Sequence, residues 1–202
     1  MDFETLSEGQ LKWLPSIGIG YFEVKESPYD QSYFDKYVSY EGSDICEELN
    51  NARVDLVKRY LDDCVLDIGI GCGSFIKAHG KAYGYDINPA GVEWLKDRGL
   101  YMEPKQIHAV TFWDSFEHIR NPADILNEVT GFVFMSIPLF NGVNHILRSK
   151  HFRKDEHYWY FTQTGLVTYM NSLGFTMIES NRMESDIGRE DIGSFVFKRN
   201  GG

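Results

Sequence analysis

The chain has 202 residues, which fits one domain with at most a small appendage. A net charge of −10 argues against a protein whose main task is gripping duplex nucleic acid, because phosphate binding needs a basic surface, though it leaves room for a local basic patch. No run of about 18 apolar residues is present, and the N-terminal "MDFETLSEGQLKW" lacks an apolar signal-peptide core. Cys46, Cys64 and Cys72 have neither CxxC nor zinc-ligand spacing, so the expectation is a soluble cytoplasmic protein with reduced thiols.

Residues 1–42 combine Pro15, Gly18, Gly20 and Pro28 with many tyrosines and show no lasting period. They are expected to form an N-terminal segment packed over the functional site of a main domain, 43–202. From Asp44 onward, Ile45, Leu49, Ala52, Leu56, Val57 and Tyr60 recur at helical spacing, with Asp44 and Glu47 as the expected capping pair. A short apolar strand "CVLDIGI" runs into a glycine turn, and "SFIKAH" predicts a short helix ending before Gly80. "AYGYDI" (82–87) predicts a second strand, and Asn88-Pro89 opens a helix that runs to about Arg98. "HAVTFW" (108–113) predicts a third strand. Asn121-Pro122 predicts a helix carrying Ile125, Leu126 and Val129 and stopped by Gly131. "FVFMSIP" (132–138) reads as a strand buried on both faces. Thr162 caps a helix with Leu166, Val167, Met170 and Leu173 on its core face, ended by Gly174. "FTMIES" and "SFVFKR" close the chain as a hairpin. Alternating strands and helices predict an α/β fold: a doubly wound, mostly parallel, Rossmann-like sheet with a C-terminal antiparallel hairpin and helices on both faces.

The chemistry concentrates at "VLDIGIGCGSF" (65–75). A strand that stops at a glycine turn and continues as a helix lies at the carboxyl edge of such a sheet, where ligands bind. Glycine takes positive φ and lets a ligand lie on bare main chain, while the helix presents its positive end. Gly69, Gly71 and Gly73 give G-x-G-x-G, with Ser74 at the third position of the dinucleotide fingerprint. Asp86 ends the next strand, where one carboxylate can accept from both ribose hydroxyls.

This D-x-G-x-G-x-G turn with a strand-end Asp resembles the first two motifs of class I S-adenosylmethionine (SAM)-dependent methyltransferases. "TFWDSFEHIRNPADIL" (111–126), "FVFMSIP" and "HYWYFTQTGLVTYMNSLGF" (157–175) are similar to later segments of that family. The nearest group is the one that includes the ubiquinone-pathway O-methyltransferases, and the similarity spans about residues 50–198. It implies SAM as cofactor, S-adenosylhomocysteine as product, and methyl transfer to oxygen or nitrogen. The family usually fits a further strand and helix between Gly99 and Ile107, with an acid for the adenine amino group. Here that gap is short and holds only Glu103. The "L-x-P-G-G" of the family is replaced by "NEVTGF".

By resemblance, Gly69, Gly71 and Gly73 line the methionine part of SAM, and Asp67 orients the loop or meets the amino group through water. Asp86 binds ribose and Ile87 packs on adenine. Trp113, Asp114 and Ser115 face the reactive end, with Asp114 toward the amino group, and Arg53 faces the carboxylate; a solvated helix charge at Arg53 carries nearly equal weight. His118 is the candidate catalytic base; a structural role for Glu117-His118 carries equal weight. Residues 139–161 carry Arg148, Lys150, Arg153 and Lys154 with no acid among 145–154. Arg148, Arg153, Tyr158 and Tyr160 are the candidate substrate-binding residues for an anionic small molecule, against the competing reading of a solvated loop. The histidines show no ligand spacing, so no metal is expected. A nicotinamide-dependent oxidoreductase, disfavoured by Ser74 and the absence of a Tyr-x-x-x-Lys pair, and a non-catalytic SAM-binding module are the rival readings. The expected partner is a small-molecule acceptor, with neither nucleic acid nor membrane involved; oligomeric state is not legible.

Overall fold

A computed structural model describes residues 4–5, 11–24 and 29–201. The central sheet is built from β4 (Val65–Ile68), β5 (Ala82–Tyr85), β6 (Ile107–Trp113), β7 (Val129–Pro138), β9 (Phe175–Asn181) and β10 (Ile192–Arg199), in the order β5-β4-β6-β7-β10-β9. The first four run parallel, with Leu66 opposite Val110 and Val110 opposite Val133. β10 is antiparallel to both neighbours, with Phe195 opposite Met135 and Ser180.

Side-chain alternation along the strands divides the core into two layers. Leu66, Val110, Phe112, Val133, Met135 and Phe195 join Leu126 and Leu166, which come from α5 (Pro122–Leu126) and α7 (Gln163–Ser172). Val65, Ala109, Phe134 and Val196 face the other way. They meet Val54, Phe75, Ile76 and Leu95 from α2 (Asp44–Lys58), α3 (Ser74–His79) and α4 (Pro89–Asp97). Each fully buried Phe or Leu stabilises the fold by about 1.5–3 kcal/mol.

A smaller antiparallel sheet joins β1 (Glu4–Thr5), β2 (Lys12–Leu14), β3 (Ile19–Tyr21) and β8 (Trp159–Phe161) in that order. Gly20 pairs with Tyr160, so the N-terminal segment is tied to the connection that follows β7. That connection also carries the short α6 (Val143–Ile146). α1 (Gln31–Val38) is capped by Asp30, whose carboxylate accepts from the Tyr33 amide at 2.9 Å.

Four local expectations are corrected. The cap of α2 is Ser43, whose hydroxyl accepts from the Cys46 amide, while Asp44 and Glu47 sit in the first turn against the helix dipole. α5 ends at Leu126, and Val129 opens β7, because β6 recruits it: Ile107 donates to the Glu128 carbonyl and pairs with Val129. Gly131 therefore stops no helix; it lies inside β7, where a Cβ would stand 2.4 Å from the His108 ring. The last two strands are joined through a short helix, α8 (Met183–Asp186), and not by a loop alone.

The sheet ends at β5. What remains of a further strand is one bridge between Gly84 and Tyr101: Gly84 donates to the Leu100 carbonyl and accepts from the Met102 amide.

Candidate active site

A cleft of about 820 Å³ opens at the carboxyl ends of β4, β5 and β6. The turn after β4 forms its floor. Gly69, Gly71 and Gly73 all have positive φ, at 79°, 56° and 76°. A Cβ on Gly69 would stand 2.6 Å from that of Ser115, and one on Gly73 would stand 2.4 Å from the Trp94 ring. The space beside Gly71 is open as far as Tyr37, at 3.5 Å, so its main chain is bare toward the cleft. Gly69 and Gly71 line the cleft, whereas Gly73 turns away against Trp94 and starts α3.

Asp86 closes this turn. One oxygen accepts from the Ile70 amide at 2.9 Å and the other from the Asn88 amide at 2.8 Å. Burial raises its carboxyl above the usual range, and the amide bonds pull it back. A carboxylate has about four acceptor sites, more than the backbone amides fill, which leaves room for a ligand hydroxyl. Ile87, beside it in the cleft lining, is 62% exposed, an apolar side chain with no cover. Asp67 is buried under the turn, which pushes its carboxyl up to about 7, although the Thr111 hydroxyl donates to it at 2.7 Å. The Ser115 hydroxyl donates to the Ile68 carbonyl and pins the strand end. Trp113 is buried beside Arg53, and its Nε1 has no hydrogen-bond partner among the described residues.

Arg53 and Asp114 meet at 3.1 Å, inside a larger ring with Glu184 and Arg189. Burial opposes ionisation of Asp114, but Arg189 and Arg53 hold its carboxyl below the usual range.

Tyr29, Tyr33 and Tyr37 line the same cleft in one stripe, with ring centroids 5.0 and 5.2 Å apart, and Tyr37 borders Gly71. Tyr33 and Tyr37 share one face of α1, and Tyr29 precedes its cap; the four-residue spacing is the signal the sequence offers. The Tyr29 hydroxyl shares a 2.9 Å hydrogen bond with Nδ1 of His118. Burial lowers the His118 ring to about 4, against the pull of Glu156 and Asp114. The His118 and His157 rings lie 4.5 Å apart, edge to face, and Glu117 is 3.9 Å from His157. Burial drives Glu117 well above and His157 well below their ordinary values, so all three groups favour their neutral forms. The sequence expectation of no ligand-spaced histidine cluster misses this group, whose ligand atoms lie within 4.8 Å of one another, because His157 comes from a distant segment.

Of the remaining candidates, Arg153 and Tyr158 line the cleft, and Arg153 pairs with Glu156 at 3.1 Å. Arg148 is exposed and lies outside the lining. Tyr160 is fully buried in the core beneath, with Leu11 and Phe140. Glu103 accepts from the Tyr101 hydroxyl at 2.5 Å and does not reach the cleft.

The sheet order, the bare glycine turn, the strand-end Asp86 and the uncovered Ile87 define an α/β protein of the class I methyltransferase type, with a site that fits SAM. A methyltransferase-domain family model matches residues 35–180, and the chain belongs to that family. It is a SAM-dependent methyltransferase. No curated protein sequence gives a significant match.

Several solved structures are similar. Magnesium protoporphyrin IX methyltransferase from Synechocystis PCC 6803, with S-adenosylhomocysteine bound, aligns at TM-score 0.63 and 12% identity, covering 85% of this chain and 96% of that one. A possible histamine N-methyltransferase from Thermotoga maritima gives 0.59 and 14%, covering 84% and 97%. The 1,6-didemethyltoxoflavin-N1-methyltransferase of Burkholderia thailandensis gives 0.56 and 13%, covering 100% of both chains. At these identities the likeness is one of fold.

Proposed function

We propose that the enzyme transfers the SAM methyl group to a hydroxyl or amine of a small molecule, with the acceptor held among Tyr29, Tyr33, Tyr37, His118 and Tyr158. One observation carries this reading: the glycine turn with Asp86 and the tyrosine stripe with His118 line one and the same cleft, with Tyr37 bordering Gly71. At about 820 Å³, in the upper part of the ~300–1,000 Å³ range of ligand pockets, it has room for cofactor and acceptor together. Two of the similar structures are named for small-molecule acceptors, a magnesium porphyrin and a toxoflavin precursor. The net charge of −10 argues against nucleic acid. No helix among the described residues is long and apolar enough to cross a membrane. The three free cysteines support a reducing, cytoplasmic setting.

In this reading Asp86 accepts from ribose, Ile87 covers adenine, and Gly69 and Gly71 face the methionine part. Arg53 takes the carboxylate, and Asp114 and Asp67 flank the amino group. The bound cofactor supplies an electrophilic methyl on a good leaving group, so the protein supplies alignment and dryness. His118 is neutral at physiological pH and offers a lone pair to the acceptor hydrogen. A basicity near 4 is low for a free hydroxyl. It suffices once the methyl bond forms, because the alkylated oxygen is far more acidic than the alcohol. Arg153, in place of the exposed Arg148, is the cation for an anionic acceptor group.

The test is calorimetric binding of SAM and S-adenosylhomocysteine, followed by a methyl-transfer screen of small hydroxyl and amine compounds. The reading expects micromolar binding that Asp86→Ala weakens ~100-fold, from the loss of charge-assisted bonds worth about 1.5–3 kcal/mol each. Unchanged binding in that variant would remove Asp86 from the cofactor site. Turnover on nucleic acid or protein alone would overturn the small-molecule assignment.

A further inference from the structure

Glu184, on α8, is completely buried and is not among the residues lining the cleft, yet both arginines beside the glycine turn depend on it. One of its oxygens accepts from Nε of Arg53 at 2.7 Å and from the Ser136 hydroxyl at 2.6 Å. The other accepts from Nη2 of Arg53 at 3.1 Å and from Nη1 of Arg189. Asp114 closes the ring. It accepts from Arg53 at 3.1 Å and from Arg189 at 2.6 and 3.0 Å. Two cations and two carboxylates balance, as a largely buried group of charges must. Asp114 holds a positive φ of 55°, a rare conformation for a non-glycine residue that persists where the surroundings over-determine it.

The ring leaves donors over. A guanidinium has five N–H groups. Among the described residues, Nη1 of Arg53 and Nε of Arg189 have no hydrogen-bonding partner. Both arginines line the cleft. Glu184 thus grips two guanidinium groups from behind while spare donors remain for a ligand.

We propose that Glu184 is a positioning residue for the amino-acid end of the cofactor, locking Arg53 and Arg189 together as a two-guanidinium receptor for its carboxylate. This rests on the assignment of Arg53 to that carboxylate, and it adds Arg189, whose loop lies more than 130 residues away in sequence. The zwitterionic end of the cofactor brings one charge of each sign, so the balance of the ring survives binding. In Glu184→Gln, the NH₂ group faces Nε of Arg53 if it takes one oxygen's place and donors of both arginines if it takes the other's, so at least one arginine bond is lost either way.

The experiment is calorimetry on the full chain with two ligands. One is S-adenosylhomocysteine. The other is methylthioadenosine, which keeps the adenosine and thioether but lacks the amino-acid end. Glu184→Gln is expected to weaken S-adenosylhomocysteine ~10-fold or more and to leave methylthioadenosine within about twofold. Equal weakening of both ligands would show a general structural loss and overturn the proposal. So would unchanged or tighter S-adenosylhomocysteine binding, the tighter case meaning that Glu184 competes with the ligand. If Glu184→Gln does not fold, Arg189→Gln decides. Its side chain is 25% exposed, and the same selective loss is expected. Wild-type protein that binds methylthioadenosine as tightly as S-adenosylhomocysteine would remove the carboxylate site and the proposal together. Binding of neither ligand would sink the cofactor assignment itself.

Discussion

The Tyr29 phenol and the His118 imidazole, 89 positions apart, share one hydrogen bond of 2.9 Å at Nδ1. A phenol can donate to Nδ1 or accept from it, so the bond serves either tautomer; in the form with the proton on Nδ1, Nε2 keeps its lone pair for the acceptor. Tyr29→Phe removes this partner. Turnover is expected to fall ~10-fold, while the affinity for S-adenosylhomocysteine stays within about twofold. Nitrogen NMR of the ring should show the two tautomers redistributed. A parallel loss of cofactor affinity would place Tyr29 in the cofactor site.

The low basicity of His118 sets two pH dependences. The rate should stay level from pH 8 to about 5 and fall only as the ring protonates near 4. Stability follows the same group. The folded ring takes its proton at about 4 and the unfolded ring at 6.5, so between these values the unfolded chain holds the extra proton. Stability is therefore lost as pH falls from about 6.5 toward 4, by at most ~3 kcal/mol and by less where the ring meets solvent in the cleft. His118→Gln should reduce that slope in urea titrations at pH 7 and pH 4.5, leaving the part due to the buried His157. An unchanged slope would assign the acid sensitivity to another group.

Asp67 works in the opposite sense. Burial lifts its carboxyl from 3.8 to about 7, so its contribution is fully present below 3.8 and is lost as pH rises through 7. Asn at this position keeps an acceptor for the Thr111 hydroxyl and carries no charge. Asp67→Asn should raise stability at pH 8 by up to about 4 kcal/mol and leave it nearly unchanged below pH 4. Thermal denaturation at the two pH values measures this. A gain of the same size at both would trace the effect to packing.

Gly73→Ala tests the turn. Its φ of 76° costs a side-chain-bearing residue ~1–2 kcal/mol, and the new methyl would overlap the Trp94 ring. A combined loss of about 3 kcal/mol should lower Tm by ~6–12 °C. Adding Trp94→Leu should restore the steric part alone. Full recovery in the double variant would mean that the backbone there relaxes without cost.

Much of this arrangement was legible in the residues. The β4 turn, Asn88 and Thr162 as caps, and the strand-end Asp86 depend on local chemistry, which a linear sequence displays. Val129 deceived because it keeps helical spacing with Ile125 while tertiary pairing with Ile107 recruits it into a strand. Tyr160 looked like a pocket wall because nothing local separates an aromatic residue that lines a cleft from one that fills a core. The ring around Glu184 was hidden for another reason: its four members come from α2, the end of β6, α8 and the loop after it, and no short pattern links them. His157 joined Glu117 and His118 in the same way.

Because, among the described residues, the sheet stops at β5 with one Gly84–Tyr101 bridge beyond it, the rim beside the exposed Ile87 is not walled by a further strand. A purine lying there would show its exocyclic amine to bulk water. The protein should therefore tolerate a spacer or dye attached at that nitrogen. A resin carrying S-adenosylhomocysteine through its adenine amine should retain it from solution, turning a shortened fold into a handle for capture.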